Sequence, residues 1–154
     1  MPAQDLTCCD TLILVAPDCG AENATVPPPR GDAPTVATIQ YEMLSVHPYQ
    51  FTQPEILFES FVKRSGLSTA EIKRQRSELW EQFFSKSQAC LRASPLPKTY
   101  GWGIHFNSEG KGALVARESA EYRRLADPAR GKVKQVAAMR NKRAAVANSG
   151  PRGK

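Results

Sequence analysis

Hydrophobic residues first cluster at Thr11-Leu-Ile-Leu-Val15, a short β-branched and aliphatic run closed by Pro17. With no polar position inside it, the run predicts a strand covered on both faces and therefore central in a sheet. The next stretch, DCGAENATVPPPRGDAP over 18–34, is rich in turn formers and proline. It predicts a long loop, because proline removes backbone donors and breaks both regular structures. Helical spacing returns over 35–44, where Val36, Ile39, Met43 and Leu44 share a face, and His47-Pro48 ends it. Thr52-Gln-Pro-Glu55 and Ser68-Thr-Ala-Glu71 both have the form of a capping box, so each opens a helix. Ile56, Leu57, Phe58, Phe61 and Val62 supply the apolar stripe of the first, which Gly66 closes. Ile72, Leu79, Trp80, Phe83 and Phe84 supply the core face of the second, which runs to about Ser85.

Strand periodicity takes over after the proline-rich 94–98 segment. Tyr100–Phe106 and Lys111–Arg117 flank Asn107-Ser-Glu-Gly110, which suits a type I turn followed by a left-handed glycine, and together they predict a hairpin. A short helix begins at Ser119 and ends near Asp127-Pro128, and 132–138 alternates well enough for a last strand. The expected fold is α+β: a small antiparallel or mixed sheet of about four strands, with three to four helices packed mainly on one face.

Side chains alternate along a strand, so Tyr100, Trp102, Ile104 and Phe106 face the core while Gly101, Gly103 and His105 share the reverse face. Turn geometry places Trp102, Ile104 and Phe106 opposite Ala116, Leu114 and Gly112. The reverse face then collects Ala113, Val115 and Arg117 as well. Two glycines in alternation leave it shallow, and three uses compete for that space. A helix or the 18–34 loop packs there; or a small molecule or protein partner binds, with His105, Arg117, Arg92, Lys98 and Tyr100 as candidate ligand contacts for an anionic group; or His105 acts as general acid or base. The catalytic use lacks a placed nucleophile, since neither Ser94 nor Cys90 can be positioned from sequence, and no catalytic residue is assigned. Glu55 and Glu59, four apart on one helix, are discounted as paired catalytic carboxylates because Glu55 already serves a cap.

Composition changes this picture little. The 154 residues are 41% hydrophobic and 23% charged, ordinary for one globular domain, assigned to 1–144. The formal charge of +6 is concentrated at one end: residues 140–154 hold five of the 21 Lys and Arg and none of the 15 acids. Residues 145–154 are expected to form a flexible basic tail, and nucleic acid is expected only as a weak, non-specific partner of it. Cys8, Cys9, Cys19 and Cys90 match neither a disulfide framework nor a zinc spacing, so neither a metal nor a cofactor is expected. No apolar run approaches the roughly 20 residues that span a bilayer, and MPAQDLTCCD has no basic leader or cleavable apolar core. The expectation is a cytoplasmic protein without membrane contact.

The words TLILVAPDCG, VPPPRGDAPTVATIQYEML, HPYQFTQPEILFE, QACLRASPLPKTYGWGIHF and KQVAAMRNKRA, in this order from about Thr11 to Ala144, resemble a small bacterial family catalogued as a domain of unknown function, number six-one-five-seven of that series. The resemblance implies a free-standing bacterial cytoplasmic protein and brings no substrate, cofactor or catalytic residue. The chain departs from the family's pattern at Ala16-Pro-Asp-Cys-Gly20, where the family has an acidic residue and a closing proline.

Overall fold

A computed structural model describes residues 8–29, 31, 34–127 and 133–140. The elements follow the chain as β1 (Thr11–Leu14), α1 (Val36–Val46), β2 (Phe51–Thr52), α2 (Gln53–Lys63), α3 (Thr69–Phe84), a 3-10 turn at Leu91–Ala93, α4 (Pro95–Thr99), β3 (Trp102–Phe106), β4 (Lys111–Ala116), α5 (Ala120–Ala126) and β5 (Lys134–Ala137). The sheet is mixed, in the order β2-β4-β3-β1-β5, with β1 antiparallel to β3 and parallel to β5.

The fold is α+β as expected, with five strands and five helices among the described residues in place of four and three to four. The extra strand is β2, two residues that pair with Gly112 and Lys111 directly before the capping box of α2. The extra helix is α4, in the proline-rich segment. Ser94 caps it, accepting from the Leu96 N–H, and Pro95 occupies its first turn, where a missing N–H costs nothing. Tyr100 is consequently the C-cap of α4, and β3 starts later than the alternation suggests. The tail expected at 145–154 lies outside the described residues.

The sheet divides two layers. Ile13, Ile104 and Phe106 face α1, α2 and α4 in the main core, with Ile39, Met43, Leu44, Ile56 and Leu96 against them. The other face is covered by α5: Leu12 and Val115 pack against Leu125 and Tyr122. Helices thus lie on both faces. A third cluster joins α2 and α3 through Phe58, Val62 and Leu79. Of the apolar face expected for α3, Leu79 is buried, while Ile72, Trp80, Phe83 and Phe84 are half-buried. Among the described residues, α2 and Leu67 are what packs against that face of α3. A satisfied polar network holds the α1, α2 and α4 layer in register. Ser94 Oγ donates to Gln40 Oε1 at 2.6 Å, Gln40 Nε2 donates to Ser60 Oγ at 3.2 Å, and Ser60 Oγ donates to the Ile56 carbonyl.

Among the described residues, no helix is long and apolar enough to cross a membrane.

Candidate functional site

The β3–β4 hairpin has the register read from its turn, with Trp102, Ile104 and Phe106 opposite Ala116, Leu114 and Gly112. Asn107 Oδ1 accepts from the Glu109 and Lys111 N–H groups, and Gly110 takes the left-handed conformation (φ +79°). The reverse face therefore carries Gly103, His105, Ala113 and Val115.

The space over the two glycines is filled. A Cβ on Gly103 would lie 2.7 Å from Tyr122 Cε2 of α5 and 3.2 Å from the Ile13 carbonyl oxygen. Gly101 has φ +78°, and a Cβ there would lie 2.9 Å from the Asn23 carbonyl oxygen. The 18–34 loop reaches that point through four bonds. Thr25 N–H donates to the Tyr100 carbonyl, Trp102 Nε1 donates to the Thr25 carbonyl, Ala24 N–H donates to Glu118, and Arg117 donates to the Ala21 carbonyl. The Ala24 N–H holds the exposed Glu118 carboxyl below the usual carboxylate range. Close packing, by both the helix and the loop, is the use that this end of the face serves.

His105 lies further along the same face and stays half-exposed. Its Nδ1 is 2.9 Å from the Tyr49 hydroxyl, and the two rings meet edge to face with centroids 5.7 Å apart. Tyr49 reaches it from the turn between α1 and β2, where its backbone is left-handed (φ 59°) and its N–H donates to the Gly112 carbonyl. A bulky residue in that region is strained, and such residues persist where their surroundings fix them. Asp10, at the mouth of β1, is also left-handed (φ 48°), and its backbone is tied to Asn107 and Lys134. On the α5 side, Glu121 and Arg124 pair at 3.5 Å.

Burial holds the His105 imidazole below its ordinary value, with Arg124 acting the same way and Glu121 and Asp10 opposing it. Burial, with Glu121 adding to it, raises the Tyr49 phenol. Near neutral pH the pair is thus an uncharged imidazole and a protonated phenol. With the phenol donating to Nδ1 the ring hydrogen sits on Nε2, and with Nδ1–H donating to the phenol oxygen Nε2 carries the lone pair; in both tautomers Nε2 has no hydrogen-bond partner among the described residues.

The other four sequence-derived contacts do not converge on this imidazole. Arg92 and Lys98 belong to the layer on the opposite side of the sheet. Arg92 Nε donates to the Ala137 carbonyl at the β5 edge, and Lys98 is on α4. Tyr100 and Arg117 serve the 18–34 loop. Ser94 is buried against Gln40, and Cys90 precedes the 3-10 turn, so neither is presented to His105 as a nucleophile. Glu55 is held by its cap and Glu59 by Arg76. Tyr49, Asp10, Glu121 and Arg124 carry no signal in the sequence that would group them with His105. The one local hint is Pro48, which forces a turn immediately before Tyr49.

The family model described as a family of unknown function (DUF6157) matches residues 3–144, nearly the whole chain. No curated protein and no solved structure matches.

Proposed function

Because the chain belongs to this family of unknown function, no activity comes with the assignment, and we propose from the geometry that the protein is a binding module whose recognition element is the His105–Tyr49 pair. The ligand is a small molecule presenting an acceptor oxygen, such as that of a carboxylate or phosphate, to Nε2–H, beside an Arg124 guanidinium that Glu121 already pairs. The observation that carries this reading is the strained tyrosine: Tyr49 adopts a left-handed backbone and places its hydroxyl on Nδ1, which orients a ring that stays open to solvent and turns Nε2 outward. Strain maintained at such a position is a mark of a site, since packing alone is satisfied by unstrained residues.

A second reading is favoured by the protonation state. In the tautomer in which Nδ1–H donates to the Tyr49 oxygen, Nε2 of the neutral imidazole carries the lone pair and is suited to act as a general base, provided that the nucleophile arrives with the substrate. Histidine-selective NMR distinguishes these readings. Titrating small carboxylates and phosphates into the protein should shift the His105 ring signals at constant pH, and Tyr49→Phe should weaken that response severalfold without unfolding the chain. Turnover of a ligand found in this way, lost in His105→Gln, selects the catalytic reading. A panel that raises the melting temperature without moving the His105 signals removes this site from consideration.

A further inference from the structure

The α2–α3 layer offers a surface of different chemistry. Two open clefts meet at Arg76. One, of about 260 Å³, has buried Val62 and half-buried Ile72 in its lining, with Lys63 and Lys73 beside them. The other, of about 380 Å³, continues along α3 past Ser77 to Trp80 and Glu81. Thr69, Ile72, Lys73 and Arg76 of α3 line the first cleft and Arg76, Ser77 and Trp80 the second, on either side of Gln75, whose backbone leaves the helical region (φ −108°, ψ 15°). On the α2 side, Phe61 is 40% exposed and stacks on Phe83 with ring centroids 4.9 Å apart.

The charges around it are unevenly used. Arg76 is bonded to Glu59 and lies over the Phe58 ring at 5.1 Å, so its charge is compensated. Lys63 and Lys73 are exposed and have no acidic partner among the described residues. An apolar floor flanked by two uncompensated ammonium groups complements an apolar side chain flanked by carboxylates. The chain's own end does not supply that: residues 141–154 carry four cations and no acid. A second copy seated on the same face would bring lysines against lysines.

We infer that the α2–α3 groove docks an acidic amphipathic helix of another protein, with an apolar anchor in the Val62–Ile72 cleft and carboxylates on Lys63 and Lys73. Helix-in-groove recognition uses anchors at helical spacings, and rim charges set partner choice and rate. This inference is independent of the His105 reading, which lies on the far side of the sheet.

The test is fluorescence anisotropy with a labelled synthetic helix bearing leucines on one face and glutamates beside them, measured against a twin with lysines in place of the glutamates. The glutamate peptide should bind, its affinity should fall about tenfold in Lys63→Glu/Lys73→Glu, and the lysine peptide should gain in that variant. Both substitutions are on exposed side chains, so an unchanged melting temperature verifies the fold. The inference is overturned if the two peptides bind alike, if neither binds, if the double variant binds the glutamate peptide as the parent does, if anionic vesicles bind at this face and the peptide does not, or if the face closes instead by self-association at rising protein concentration.

Discussion

Gly103→Ala is a direct probe of how the reverse face of the hairpin is occupied. Gly103 has ordinary strand backbone, so alanine fits its conformation, and space alone decides the outcome. The new methyl would lie 2.7 Å from Tyr122 Cε2, whereas carbon atoms rest about 3.5–4.0 Å apart, so the ring must withdraw by about 1 Å. It is not free to do so, because its hydroxyl accepts from the Val15 N–H at 2.9 Å and its own backbone is held by the Ser119 cap. Overpacking of this kind costs about 1–3 kcal/mol. If the ring yields, the nearly buried Val15 N–H loses its acceptor, a further cost of about 1–3 kcal/mol. Replacing glycine in a strand returns roughly 0.5–1 kcal/mol of backbone entropy. The net expectation is a loss of about 1–4 kcal/mol. Urea denaturation at constant m measures it, and a double-mutant cycle with Tyr122→Ala assigns it. In the Tyr122→Ala background the same substitution should cost clearly less than in the parent, leaving only the 3.2 Å approach to the Ile13 carbonyl oxygen. A Gly103→Ala protein as stable as the parent in both backgrounds would refute the packing of α5 on this glycine.

The remaining expectations use the same measurements. Trp80→Ala should cost about 1–3 kcal/mol, less than the roughly 3–5 kcal/mol of Phe58→Ala, because Trp80 is half-exposed where Phe58 is fully buried; chemical denaturation that reverses the order would relocate the α2–α3 core. Gln40→Ala leaves the Ser94 hydroxyl hydrogen without its acceptor in the main core, while Ser60 Oγ keeps its bond to the Ile56 carbonyl, and should cost about 1–3 kcal/mol, a value that a well-filled apolar replacement such as Gln40→Met should partly recover. Since burial lowers the His105 pKa, the unfolded chain takes up that proton first as pH falls. Stability should therefore drop as pH passes below about 6.5 and level off once the folded imidazole is also protonated. His105→Gln should flatten this part of the stability curve, and an unchanged slope would assign it to other groups.

What was legible in the sequence was whatever a local motif determines. Asn107 and Gly110 specify their turn through one side-chain acceptor and one left-handed residue, and the hairpin register follows from them. Thr52 and Ser68 declare their helices because a cap is a bond between neighbours. α4 was legible in principle as a serine cap followed by a first-turn proline, but two prolines in five residues conceal it. Tyr49 was not legible, because a bulky residue adopts a left-handed backbone only when distant groups impose it. Arg117 was grouped with His105 by the hairpin register, and Arg92 and Lys98 by charge alone. Neither tells which guanidinium a backbone carbonyl has already engaged, as Ala137 and Ala21 do here. Periodicity likewise identified the inner face of α3 without revealing that most of it stays half-buried against α2.

The placement of α5 links the two uses of the hairpin's reverse face. Seven residues are too few for a helix to persist without tertiary support, so α5 depends on its Ser119 cap and on the packing of Tyr122 and Leu125 against Gly103, Leu12 and Val115. Neighbours of Tyr122 in the same helix, Glu121 and Arg124, are the charges that act on His105 and Tyr49. Movement of Tyr122 away from Gly103 therefore also moves the ion pair beside the imidazole. The bare backbone at Gly103 is then more than room for a ring. It sets the depth at which α5 seats, and so the field in which His105 titrates. This predicts that Gly103→Ala shifts the His105 titration measured by NMR, although the added methyl touches neither ring of the His105–Tyr49 pair. A Gly103→Ala protein that is destabilised as calculated yet keeps the parental His105 titration would show that α5 yields at Tyr122 alone, and that packing and site are separable.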